Sequence, residues 1–63
     1  MLLNGEPFAT EAATLGELCA NLGFAEAKIA TAVNGRFVAA AARPRVELSD
    51  GDKVEVVAPM QGG

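Results

Sequence analysis

The chain has 63 residues, 51% of them apolar, and a formal charge of −3. A chain this short makes one domain, buries only about 60% of its unfolded surface and leaves little room for an enclosed substrate pocket. Thirteen of its apolar residues are alanine, so the core is thin, and the acidic balance offers nothing to a nucleic acid.

In chain order, Met1-Leu2-Leu3 is a short apolar run that meets Asn4-Gly5. Asn-Gly favours positive φ at both central positions of a type I′ turn, which predicts a hairpin returning through Glu6 to Thr10. Pro7 has no N–H for a ladder, so the returning strand belongs at an edge. Thr14 and Glu17 form a capping box that opens a helix over Leu15 to Leu22. Leu15, Leu18, Cys19 and Leu22 fall at i, i+3, i+4 and i+7 and draw one apolar stripe. Gly23 is the expected residue just past the helix end.

Ile29 to Val33 reads as a strand, with either the Ile29/Thr31/Val33 set or the two alanines facing the helix. Asn34-Gly35 repeats the hairpin signal and returns through Arg36-Phe37-Val38. The stretch from Ala39 to Pro44 is the least legible. Its alanines allow a helical turn, which Pro44 should end by disfavouring helix at Arg43. Val46-Glu47-Leu48 is a short extended piece, and Ser49-Asp50-Gly51-Asp52 is a turn. Lys53 to Val56 alternates, with Val54 and Val56 inward and Lys53 and Glu55 outward. Val57 breaks the pattern by placing an apolar side chain on the outer face, just before the tail. A hairpin, a helix of under three turns, a second hairpin and a last strand predict an α+β fold of two layers, a mixed sheet of four to five strands on one short helix.

An enzyme reading fails on inventory. The chain has no His, Tyr or Trp, so the commonest general base and metal ligand is missing. Cys19 has no histidine to activate it, and its place in the leucine stripe makes it a small buried hydrophobe. Asp50 and Asp52 flank Gly51 as a turn, with too few ligands for an EF-hand loop. Neither the Asn-Gly pairs nor Gly51 has the spacing or the lysine of a phosphate loop. Arg36, Arg43 and Arg45 amid eight acids read as a solvated face. Glu6 and Glu11 interrupt any signal-peptide pattern, no apolar run is of membrane-spanning length, and one cysteine makes no internal disulfide. These features place the chain in the cytoplasm, away from membranes.

What remains is the end of the sequence, Pro59-Met60-Gln61-Gly62-Gly63. Residues 1–58 read as the domain and residues 59–63 as a flexible tail that could extend about 17 Å past the last strand. Glycine has no side chain, so a narrow channel can admit Gly62 and Gly63 and reach the α-carboxylate. Val57 and Met60 are the apolar residues beside it and the candidate docking contacts.

The residues that carry these features also resemble a known family. Leu2-x-Asn4-Gly5-Glu6-Pro7, Thr14-Leu15-x-Glu17-Leu18, Ala32-Val33-Asn34-Gly35, the run from Leu48 through Asp50-Gly51-Asp52 to Val56, and Gly62-Gly63 are similar in order and spacing to ThiS, the sulfur carriers of thiamin biosynthesis. The similarity covers essentially the whole chain and is poorest from Ala39 to Arg45. It implies a β-grasp, or ubiquitin-like, fold with the first and last strands parallel and central. It implies that a ThiF-like adenylating enzyme uses ATP and magnesium to adenylate the Gly63 carboxylate. A persulfide sulfur donor then converts it to a thiocarboxylate, and the sulfur passes to a ThiG-like thiazole synthase. In this scheme Gly63 is the covalent acceptor, Gly62 the steric clearance, and Val57 with Met60 the docking contacts; the chain is a substrate of enzymes, with no stably bound cofactor. Two readings share the fold and tail: the sulfur carrier that is the small subunit of molybdopterin synthase, and a ubiquitin-like modifier joined to lysine. Gene neighbours separate the two pathways, and the fate of the tail separates carrier from modifier.

Overall fold

The computed structural model describes residues 1–24 and 28–58. Pro59 to Gly63, with the expected site residues Met60, Gly62 and Gly63, lie outside the described residues. Five strands form one mixed sheet: β1 (Leu2–Leu3), β2 (Glu6–Pro7), β3 (Ala30–Val33), β4 (Arg36–Val38) and β5 (Lys53–Val57), in the spatial order β2-β1-β5-β3-β4. Helix α1 (Leu15–Asn21) covers one face. β1 and β5 pair in parallel, Leu2 with Lys53 and Leu3 with Val54, so the first strand is interior and the last is central. No helix among the described residues is long and apolar enough to cross a membrane.

Both Asn-Gly turns have the geometry their sequence demands. Asn4 and Gly5 sit at φ 53° and 84°, Asn34 and Gly35 at 52° and 82°, the two positive values of a type I′ turn. β2 lies at the edge that Pro7 requires. It is shorter than the expected Glu6–Thr10 strand: after Pro7 only Phe8 still donates across, to Met1 O at 2.9 Å. Thr10 then turns the chain toward the helix, its Oγ1 accepting from the Ala12 N–H at 3.1 Å.

Helix α1 starts at the capping threonine. Thr14 is extended, at φ −130° and ψ 162°, and its hydroxyl accepts from the Glu17 N–H at 3.2 Å. The helix stops in a Schellman arrangement around Gly23 at φ 87°, with Gly23 N–H bonded to Ala20 O and Phe24 N–H to Cys19 O. Both ends thus satisfy backbone groups that a short helix would otherwise leave open. Leu15, Leu18 and Cys19 point into the core against Val38, Val54 and Val56 of the sheet, with Leu22 at the margin.

The choice left open at β3 falls to the odd set. Thr31 is buried at 2% exposure, while Ile29 and Val33 pack at the edge of the core. A hydroxyl therefore occupies a core position, and it is satisfied twice. Thr31 Oγ1 donates to Val38 O at 2.7 Å and accepts from Arg43 Nε at 2.9 Å, and Arg43 Nη2 donates to Ile29 O at 2.6 Å. This corrects the solvated-face reading for Arg43, whose guanidinium fastens the following segment to β3. Arg36 and Arg45 are exposed as expected.

The segment that fastens is a 3₁₀ helix, Ala40–Arg45, which runs through Pro44 instead of ending before it. Its turns close with Ala42 N–H to Ala39 O at 2.9 Å and Val46 N–H to Arg43 O at 3.3 Å, on either side of the proline that has no N–H to give. Pro44 lies so close to α1 that a Cβ on Gly16 would come within 3.1 Å of its Cα and N. Val46 to Leu48 joins no sheet strand. It brackets the helix start, accepting from Leu15 N–H at Val46 O and donating from Leu48 N–H to Ala13 O, both at 2.9 Å.

Candidate functional site: the end of the central strand and its outer face

The sequence tail follows β5, so the site is built from what holds and surrounds that strand. On one side β3 pairs antiparallel with it, Ala30 with Val57 and Thr31 with Val56. On the other side β1 stops at Leu3, opposite Val54. Asn4 N–H makes the last backbone bond of that ladder, to Val54 O at 2.8 Å. The Asn4 side chain then continues the ladder in place of backbone: Oδ1 accepts from Val56 N–H at 2.8 Å and Nδ2 donates to Val56 O at 3.0 Å.

Asn34 does related work where β5 begins. Its backbone N–H donates to Lys53 O at 2.7 Å, its Oδ1 accepts from Lys53 N–H at 3.0 Å, and its Nδ2 donates to Asp52 Oδ1 at 3.0 Å. Asp52 Oδ2 also accepts from Ser49 N–H at 2.8 Å, and these two bonds hold the Asp52 carboxyl below the usual aspartate value, the bond from Ser49 contributing most. The Asp50-Gly51 pair is thus the middle of a tight turn, with Gly51 at φ 87° and Asp52 N–H bonded back to Ser49 O at 3.1 Å. Among the described residues, no three acids or cysteines gather as a metal site.

Val57 lies where the alternation placed it, on the face away from the helix and 57% exposed. Phe37 shares that face at 73% exposure, and sequence reasoning did not single it out. The missed signal is the adjacent pair Phe37-Val38: neighbours on a strand point to opposite faces, so one of two apolar residues must face out. The register joins them into a patch, since Ala32 pairs with Phe37 and Ala30 with Val57. Two alanines on β3 separate two larger apolar side chains on β4 and β5, and Glu55, paired with Ala32 on the central strand, lies on the same face two residues before Val57.

Nothing else in the described residues offers reactive chemistry. Cys19 is buried beneath the sheet, and burial pushes its thiol above the usual value, with the Arg43 guanidinium opposing more weakly. It stays a protonated core side chain, as expected. A depression of about 630 Å³ is an open groove between Met1, Phe8, Thr10 and Leu48. Because β1 and β5 are parallel, Met1 marks the end where β5 begins, opposite to the tail.

Comparison with known proteins agrees with this architecture. A sequence profile of the ThiS family matches residues 1–63. The sulfur carrier protein ThiS of Thermus thermophilus is 43% identical over 61 residues, which covers 97% of this chain and 95% of that protein. The crystal structure of the thiamine biosynthesis protein ThiS from Geobacter metallireducens superposes with a TM-score of 0.79 at 30% identity, over 98% of this chain and 96% of that one. A solution structure of a thiamine biosynthesis protein from the same organism gives 0.78 at 29% identity, over 98% and 85%. The two-layer arrangement is the β-grasp fold.

Proposed function

The chain belongs to the ThiS family, the sulfur carriers of thiamin biosynthesis rather than catalysts, and we propose that it carries the sulfur on the α-carboxylate of Gly63. The support is that the family match runs through Gly63, while the single thiol, Cys19, is buried and protonated. A carboxylate is a poor electrophile. A ThiF-like adenylating enzyme, using ATP and magnesium, would let a Gly63 oxygen attack the α-phosphorus and expel pyrophosphate. The resulting acyl adenylate has AMP as its leaving group. The terminal sulfur of a donor persulfide displaces AMP and forms the new C–S bond; a second thiol then cleaves the donor's own S–S bond, leaving the thiocarboxylate on Gly63 and a disulfide between the donor and that thiol. A ThiG-like thiazole synthase would take the sulfur from there.

In this reading Val57 and Phe37 are the outer-face anchors on which the partners dock, with Met60 following in the tail and Gly62 clearing the channel. The carrier works in the cytoplasm, where a lone thiol stays reduced. Intact mass tests the central step. After incubation with ATP, magnesium, a persulfide source and the adenylating enzyme, the chain gains the mass of one sulfur in place of one oxygen. A variant lacking Gly63 keeps its fold and gains nothing. Sulfur acquired by that deletion variant at the full rate would overturn the assignment.

A further inference from the structure

The two Asn-Gly turns have the same conformation but serve opposite ends of β5. Asn34 holds Lys53, the first residue of the strand, while Asn4 holds Val56, three residues before Pro59. At Val56 the edge facing β1 is held by a side chain alone, because β1 has already turned away at Asn4. We propose that Asn4 is a positioning residue for the chain end: its carboxamide closes the last rung of the β1–β5 ladder and thereby sets the course of the chain from Val56 to Ala58, from which the sequence continues to the Gly63 carboxylate. The proposal rests on the sulfur-carrier reading above and adds a residue to it.

The chemistry suits an amide. Val56 presents one N–H and one C=O on that edge, and a carboxamide supplies one acceptor and one donor in a plane, as a strand residue would. The consequence grows with distance. A tail of five residues reaches up to about 17 Å, so a swing of about 10° at its base moves the end by about 3 Å. A partner can still capture a loosely aimed tail, but only from the aimed fraction of the population, which raises the apparent KM.

The experiment compares Asn4→Gly with Asn34→Gly. Glycine accepts the positive φ of either turn, so each variant keeps its hairpin and loses only the side-chain bonds. Two measurements are made on the full chain. In the carrier alone, amide exchange at Val56 should accelerate about tenfold in Asn4→Gly, as expected for losing a hydrogen bond or two at a strand edge, and stay within about twofold of wild type in Asn34→Gly. With the adenylating enzyme and ATP, KM for the carrier should rise about tenfold in Asn4→Gly, with kcat at saturation changed much less, and Asn34→Gly should again stay within about twofold. A merely structural role would move both variants alike in proportion to their urea midpoints. Equal KM shifts, or unchanged Val56 exchange in Asn4→Gly, would overturn the positioning role. Failure of the wild-type carrier to gain AMP would instead strike the sulfur-carrier chemistry, and the exchange measurement would still decide whether Asn4 closes the strand end.

Discussion

Aspartate at Val57 separates docking from folding. Full burial of a valine side chain is worth about 1.5–3 kcal/mol. Val57 leaves 57% of its surface exposed in the free domain, so a partner that covers it gains about 1–2 kcal/mol. Val57→Asp forfeits that gain and adds a charge that the contact must desolvate beside Glu55, a further cost of about 1–2 kcal/mol. The expected loss of binding is roughly 2–4 kcal/mol, a weakening of about thirtyfold to a thousandfold. Stability of the isolated carrier should fall by less than about 1 kcal/mol, the span of strand propensity, because the side chain lies outside the core. Calorimetric titration against the adenylating enzyme, beside urea unfolding of the free variant, reads both quantities. Phe37→Asp should behave alike, since Phe37 is the more exposed of the pair and sits on an edge strand. Unchanged affinity in both variants would remove this face from the interface. A collapse of the urea midpoint would mean that the side chains serve the core.

Two further expectations concern the frame that holds the site. Thr31→Val keeps the shape of the side chain but strips Arg43 Nε and Val38 O of a buried partner; it should destabilise the domain by about 2 kcal/mol, read as a lower urea midpoint, and an unchanged midpoint would put the Arg43 guanidinium in water. Asp52, whose folded value is depressed, contributes stability that is complete above the ordinary aspartate value of about 3.9 and is lost as pH falls through the lower folded value. Asp52→Asn should therefore flatten the acid limb of stability below the ordinary aspartate value of about 3.9, and an acid limb as steep as that of the wild type would show that other carboxylates cause it.

Local chemistry made much of this legible. Asn-Gly at residues 4–5 and 34–35 dictates two type I′ turns because few other pairs tolerate positive φ twice. Thr14 and Gly23 mark the helix ends because they answer backbone groups only a few residues away, Thr14 through its hydroxyl on the Glu17 N–H. The alternation from Lys53 to Val57 assigns each side chain a face because strand geometry repeats every two residues. The segment from Ala39 to Arg45 resisted reading for the opposite reason. Alanine is permissive, and the 3₁₀ helix there is stabilised from outside, by Arg43 on Thr31 and by Pro44 against Gly16.

The sequence by itself determined the turns, the helix and its stripe, the outward Val57 and the diglycine ending, since each depends on residues within a few positions of one another. Tertiary structure decided which face of β3 is buried, that Arg43 belongs to the core's polar partner Thr31, that Phe37 shares a patch with Val57, and that Asn4 closes the strand 52 residues away at Val56. Those are pairings across strands. Their partners are selected by the register of the whole sheet, and no local periodicity carries that register.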